Sequence, residues 1–308
     1  MKLRFAVVDA DGPIVRLSAD LDRIADGCAL RYRTRTGATL RLDGRIVGAF
    51  DREHSLVPLP AREHAARLDL DVERRSLSTW GLPAGGGVYW RWIVARATQQ
   101  PSESAEIVPF PHRAAYDGGD LPVVGHAHLD VAWLWTYDET MRKALRTFAT
   151  AVRQIEAGGT YVFAQSQPQL YAFVEAEEPA LAARVNALAR AGRFDASVAA
   201  TWVEPDCNLP SGESLLRQML HAYDFIHPRF GIVPAVLWLP DTFGFPNTLP
   251  TLMAHAGLRY FATTKLQWND TTRFAHPQFV WRGPDGSEVV AALIDAYVGP
   301  ASKRRVER

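Results

Sequence analysis

The chain has 308 residues, with 34 Lys and Arg against 34 Asp and Glu. Hydrophobic residues make up 47% and charged residues 22%, which excludes an intrinsically disordered chain. The neutral balance argues against broad electrostatic binding of nucleic acid, and the length suits one large domain or two medium ones.

The first residues, MKLRFAVVDADG, start basic, but Asp9 and Asp11 interrupt before a signal-peptide core forms. Up to about Ala97 short alternating runs dominate: Leu40–Leu42, the turn Asp43-Gly44, Ile46–Phe50, then Leu68–Val72. Alternation around Asp-Gly turns predicts antiparallel β-structure. Gly85-Gly86-Gly87 followed by Val88–Val94 reads as a turn and a strand with Tyr89, Trp90 and Trp92. That aromatic group suits a buried sandwich core, with a carbohydrate-stacking platform as the alternative. A polar connector follows at 99–120, with the marks of a linker. These boundaries give a β-rich, sandwich-like domain at 1–98, a linker at 99–120 and a third region at 121–308.

From Leu121 on, apolar strands alternate with amphipathic helices. Pro122–Gly125 is a short apolar run; Leu145, Phe148, Ala149, Val152 and Ile155 recur at helical spacing, stopped by Gly158-Gly159. Tyr161–Ala164 reads as a strand, Leu181, Val185 and Leu188 as a helix ending at Gly192, and Phe194–Ala200 as the next strand. Ser211 is a candidate N-cap for a helix through Ile226. Ala235–Leu239, the helix Leu249–Ala256, Tyr260–Thr264, and a hairpin of Phe279–Arg282 and Glu288–Ile294 across Pro284-Asp285-Gly286 complete the series. Repeated β-α units predict an α/β fold with a parallel sheet, open or closed as a barrel.

In such folds functional groups gather at the C-terminal ends of strands. The run Gly125-His126-Ala127-His128-Leu129-Asp130 follows the first strand, and two imidazoles with a carboxylate suit a divalent transition metal. A hydrogen-bonded polar cluster is the alternative. Trp238-Leu239-Pro240-Asp241-Thr242-Phe243-Gly244 ends a buried strand, with Asp241 either at the mouth of the sheet or capping a helix. Glu204 and Asp206 stand in a loop as supporting acids or as an exposed pair. Lys265 is either a cation beside a carboxylate or a surface lysine. No phosphate-binding glycine loop and no Gly-x-Ser-x-Gly elbow is present. Cys28 and Cys207 match no zinc-ribbon spacing and read as free thiols. No apolar run reaches the roughly 20 residues of a membrane span. The expectation is a cytoplasmic protein with neither membrane nor nucleic-acid partners.

Together these runs resemble glycoside hydrolase family 38, the class II α-mannosidases, in its bacterial and cytosolic branch. The motifs are Gly125-His-Ala-His-Leu-Asp-Val-Ala-Trp133, Glu204-Pro-Asp-Cys-Asn-Leu-Pro-Ser-Gly-Glu-Ser214, Trp238-Leu-Pro-Asp-Thr-Phe-Gly244 and Thr263-Thr-Lys-Leu-Gln-Trp-Asn269. Arg41-Leu-Asp-Gly44 through Asp51-Arg-Glu-His54 is similar to the family's N-terminal domain. The resemblance implies a seven-stranded β/α barrel, here incomplete, and a retaining α-mannosidase acting on terminal α-mannosides. It implies one zinc ion, with cobalt as the alternative, on His128, Asp130 and Asp241, His126 being a neighbour of that site. Asp241 would also be the nucleophile, with Trp133, Phe243 and Lys265 near the sugar. The family's fourth ligand, a His, and its acid/base Asp match nothing after Asp241; His255, His276 and Asp270 stand in other contexts. The chain therefore reads as truncated, with weak metal binding and little turnover. The alternative is a non-catalytic remnant that binds metal or sugar. An unfinished barrel would expose apolar edges, predicting oligomers or association with the missing C-terminal part.

Overall fold

The computed structural model describes residues 1–10, 12–50, 55–74, 100–109, 124–267, 271 and 274–294. The expected aromatic strand at 88–94, the run 51–54, the 110–120 part of the connector, and Asp270 lie outside them. Two compact units emerge: Met1–Gly119 with Ala132–Arg153, and Asp120–Val131 with Gln154–Arg308.

The first unit is built from antiparallel strands, as the alternation predicts. Strands β1 (Lys2–Arg4), β2 (Ala6–Asp9), β3 (Ile14–Leu21), β4 (Cys28–Arg31), β5 (Ala38–Leu42), β6 (Arg45–Phe50), β7 (Leu56–Pro58), β8 (Ala66–Glu73) and β9 (Ser104–Pro109) form two sheets. Their orders are β2-β3-β8-β5-β6 and β1-β9-β4-β7. The β5–β6 hairpin turns at Asp43 and Gly44, both at positive φ (50° and 79°), the geometry that matches strand twist in a two-residue turn. Leu17, Leu40, Leu68 and Leu70 from one sheet and Leu30, Val57 and Ala105 from the other share a single core. The unit is a sandwich.

The linker expected at 99–120 is corrected by β9. Ser104–Pro109 pairs with both β1 and β4, and Ala105 enters the core. Its Ser and Glu residues face outward and gave the segment a linker's composition, but the inward positions are apolar. Helix α1 (Tyr137–Glu156) follows the expected periodicity and ends before Gly158 and Gly159, both at positive φ. Most of it groups with the first unit, where Arg146 pairs with Glu73 and Glu139.

The second unit alternates strands and helices. Strands β10 (Val124–His126), β11 (Val162–Ala164) and β12 (Phe194–Asp195) form a parallel sheet. Strands β13 (Val236–Trp238), β14 (Tyr260–Thr263) and β16 (Glu288–Leu293) form another, with β15 (Gln278–Arg282) antiparallel at its edge. Helices α2 (Pro168–Glu177), α3 (Pro179–Arg190), α4 (Gly212–Phe230) and α5 (Leu249–His255) complete the unit. Leu215 and Met219 of α4 and Leu249 and Met253 of α5 pack with Leu237, Phe261 and Ala291 of the sheet.

Two expectations change. The strand expected at Phe194–Ala200 stops after Asp195, because the Asp195 carboxylate accepts from Ser197 N at 2.7 Å and turns the chain. Helix α2 has no counterpart in the sequence reading; its apolar residues Leu170, Tyr171, Phe173 and Val174 leave little polar stripe to mark a period. The Ser211 cap holds: its hydroxyl accepts from Ser214 N at 3.2 Å, and Gly231 closes α4 at φ 71°. Ser211→Ala is expected to cost about 1 kcal/mol in urea denaturation, the usual price of an N-cap. Among the described residues no helix is long and apolar enough to cross a membrane.

Candidate active site

The site assembles at the C-terminal ends of β10, β13 and β14, all within the second unit. β10 delivers His126 and, two residues on, His128 and Asp130. The glycine before this run leaves room for Tyr161: a Cβ on Gly125 would overlap the Tyr161 hydroxyl and lie 2.7 Å from its ring, so that side chain would have to shift. β13 leads to Asp241, and β14 to Lys265 in a short 3-10 turn at Lys265–Gln267.

The two histidines have different assignments. His126 Nδ1 lies 3.0 Å from Ala164 O, so it donates there, and its Nε2 accepts from the Trp238 indole at 3.1 Å. Both nitrogens are used, and burial holds the ring below the usual histidine range, which keeps it neutral. His128 Nδ1 donates to Glu204, and its Nε2 faces Asp130 at 3.4 Å and Asp241 at 3.3 Å. Burial opposes a charge on His128, but hydrogen bonds to Asp130, Asp241 and Glu204 outweigh it and push the imidazole up to about 12.

Asp241 has His128 at one oxygen and the Lys265 ammonium at the other. The Lys265 side chain is only 2% exposed, so it is not the surface lysine of the alternative reading. Its Nζ also lies 4.4 Å from the centre of the Phe243 ring, a cation–π contact. Phe243 itself is 68% exposed, a flat apolar face open to solvent. Asp241 caps no helix: α5 begins later, with Thr248 at its cap position. The Asp241 loop is tied to the Glu204 loop. Thr242 Oγ1 donates to Pro205 O at 3.0 Å, and a Cβ on Gly244, at φ 94°, would lie 2.5 Å from the Asn208 amide nitrogen.

Glu204 and Asp206 separate in role. Glu204 is 3% exposed, receiving His128 Nδ1 at one oxygen and the Ser166 hydroxyl at the other. Asp206 is exposed and accepts from Asn208 N and Leu209 N, shaping its own loop. Sequence reading missed the polar residues beneath the site, Gln165, Ser166 and Gln167, all buried. Gln165 Nε2 donates to Ala127 O at 3.1 Å and Gln167 Nε2 to Leu129 O at 2.7 Å. The only signal was their place directly after β11.

Of the predicted residues the structure brings together His128, Asp130, Asp241, Lys265 and Phe243. Trp133 belongs to the stretch grouped with the first unit, where it is 47% exposed and stands edge-on to Trp135 at 5.4 Å. His128, Asp130 and Asp241 each offer a ligand atom, all within 4.8 Å of one another, and form the one such group among the described residues. The donor set fits a zinc-type cation. It comprises an imidazole whose far nitrogen is bound by a carboxylate, plus two carboxylate oxygens. The three carboxylates, set against one ammonium, leave two negative charges if His128 is neutral, which a divalent ion would cancel.

The pattern of the glycosyl hydrolases family 38 N-terminal domain matches residues 119–307. The chain is 44% identical over 170 residues to alpha-mannosidase 2C1 of Mus musculus, covering 55% of this chain and 16% of that protein. It is 40% identical over 185 residues to alpha-mannosidase G of Dictyostelium discoideum, covering 59% and 17%. It is 36% identical over 170 residues to the alpha-mannosidase of Saccharomyces cerevisiae, covering 55% and 16%. The crystal structure of an alpha-mannosidase from Enterococcus faecalis V583 aligns with a TM-score of 0.48 at 21% identity, covering 56% of this chain and 20% of that one. The chain thus spans about a sixth of the length of these curated relatives.

Proposed function

Because the chain belongs to glycosyl hydrolase family 38, we propose that it carries the nucleophile side of a metal-dependent, retaining α-mannosidase site acting on terminal α-mannosides. The observation behind this reading is the convergence of His128, Asp130 and Asp241, with Lys265 on the second oxygen of Asp241. His128, Asp130 and Asp241 would hold one divalent ion, zinc or else cobalt. When bound, that ion supplies a positive charge able to bind sugar hydroxyls and to stabilise charge in the transition state.

The residues divide the remaining work. Asp241 would attack the anomeric carbon as the glycosidic C–O bond breaks and the leaving-group oxygen departs, forming a glycosyl ester that water then hydrolyses, while Lys265 fixes the Asp241 carboxylate in place. Phe243 offers an exposed ring for the apolar face of the sugar, and Trp133 takes the same role by the family motif. Retention needs a second carboxyl about 5–5.5 Å from the nucleophile to protonate the leaving group. Glu204 is not free for that task, being buried and engaged by His128 and Ser166. That favours a second reading, in which this chain binds metal or sugar without turnover by itself, or works with a further chain that supplies the acid.

We read the two parallel sheets as arcs of one incomplete β/α barrel. The hydrogen bond from Ala235 N to Ser197 O at 2.9 Å, which joins the segment after β12 to the segment entering β13, supports this reading. We place the protein in the cytoplasm, where free thiols such as Cys28 and Cys207 persist. Release of nitrophenol from 4-nitrophenyl α-mannoside, with zinc or cobalt added, tests the proposal. Cleavage that chelation abolishes supports the hydrolase. Stoichiometric metal, or binding of a mannoside, without cleavage supports the second reading, and a chain that shows no cleavage, no metal and no mannoside binding rejects both.

A further inference from the structure

We infer that Glu204 is a positioning residue: by accepting from His128 Nδ1 it presents Nε2, and not Nδ1, to the cation shared with Asp130 and Asp241. The inference rests on the metal-site reading above and adds a residue to it.

An imidazole can ligate through either nitrogen, and which one it uses is set by the partner of the other. Two residues apart, His126 and His128 show both outcomes. His126 has a carbonyl at Nδ1 and an indole N–H at Nε2, so neither nitrogen is left for an ion. His128 has a carboxylate at Nδ1 and turns Nε2 toward two further carboxylates. The difference comes from Glu204.

Glu204 is itself held in a closed circuit. Ser166 Oγ donates to Oε1, the Glu204 backbone N donates to Gln167 Oε1 at 3.1 Å, and Gln167 Nε2 donates to Leu129 O at 2.7 Å. Leu129 adjoins His128, whose ring returns to Glu204 Oε2 and closes the loop. On the other side of His128, Gln165 holds Ala127 O. The backbone on both flanks of the ligand and its distal nitrogen are therefore fixed by one buried polar platform. A carboxylate 3% exposed would be costly to bury for packing alone, since desolvation of an ion needs specific partners to offset it.

The test measures zinc affinity by competition with a chromophoric chelator, using the whole chain, Glu204→Ala, Glu204→Gln and Ser166→Ala. Glu204→Ala is expected to weaken zinc binding by about 10- to 100-fold, the range for losing a partner behind a metal-binding histidine. Glu204→Gln keeps an acceptor for Nδ1–H and an amide for Ser166, so it is expected to recover most of that loss. Ser166→Ala should give a smaller loss than Glu204→Ala. Imidazole nitrogen NMR of the zinc-loaded chain should show His128 protonated at Nδ1 and zinc-bound at Nε2, with that assignment kept in Glu204→Gln. A folded Glu204→Ala that binds zinc as tightly as the unaltered chain overturns this inference alone. If that variant does not fold, the NMR assignment decides, and zinc on Nδ1 of the unaltered chain overturns it. An unaltered chain that binds no zinc overturns the metal reading together with this inference.

Discussion

Asp241→Asn is expected to lower zinc affinity by about 100-fold or more and to remove any α-mannoside cleavage the chain supports. Losing a residue behind a ligand costs about 10- to 100-fold, so losing the charge of a ligand itself belongs at or above the top of that range. The substitution keeps the shape of the side chain and one oxygen, so the loss reports charge. His128 Nε2 lies 3.3 Å from one Asp241 oxygen and 3.4 Å from Asp130, so the pair of carboxylates supplies the negative field in which an ion would sit. Asparagine halves that field and leaves the Lys265 ammonium in place on the other side. It also makes a poor nucleophile, which removes the covalent step. Chelator competition and nitrophenyl-mannoside release read the two effects separately. Unchanged zinc affinity in a folded Asp241→Asn would show that the ion, if bound, does not use this residue.

The second large effect belongs to the first unit. Arg146→Ala is expected to cost about 3–5 kcal/mol, the range for removing one partner of a buried ion pair. Arg146 bridges Glu73 and Glu139, whose side chains are almost wholly buried. Burial pushes the Glu73 carboxyl above the usual range, Arg146 pulls it back, and Glu139 pushes it further up. Without Arg146 two buried carboxylates face each other with less compensation, though Arg142 and Lys143 still reach Glu139. The sign of the pH dependence follows. A carboxyl raised in the folded state takes up protons on folding, so its contribution to stability falls as pH rises from the unfolded value near 4.5. The Arg146→Ala deficit should accordingly be largest near neutral pH and shrink on acidification toward that value. Urea denaturation at several pH values measures it. A deficit that stays constant with pH would mean that lost packing, not the uncompensated buried charge, sets the cost.

The sequence disclosed those parts of the fold whose causes are local. The Asp43-Gly44 and Pro284-Asp285-Gly286 turns, the Ser211 cap and the periodicity of α1 each depend on residues within one turn of one another, and each is present. Residues identified in the site likewise sit where strands end, and His128, Asp130 and Asp241 do converge. What stayed hidden depends on distant partners. Gln165, Ser166 and Gln167 look like an ordinary polar loop until β10 and the Glu204 segment are laid over them, 37 or 38 residues away along the chain. Glu204 and Asp206 are alike on paper, yet one is sealed against His128 and the other shapes a surface turn. Strand β9 is obscured for a related reason: the outward face of this inner strand is polar and has the composition of a linker, and only its partners β1 and β4 reveal the buried face.

X-ray absorption at the zinc edge, on the chain loaded with one equivalent, tests most directly whether His128, Asp130 and Asp241 share one cation. The predicted spectrum has a single imidazole and otherwise oxygen ligands at about 2.0–2.2 Å. Sulfur at about 2.3 Å, placing the ion on Cys28 or Cys207, or a shell with two or more imidazoles, would contradict it.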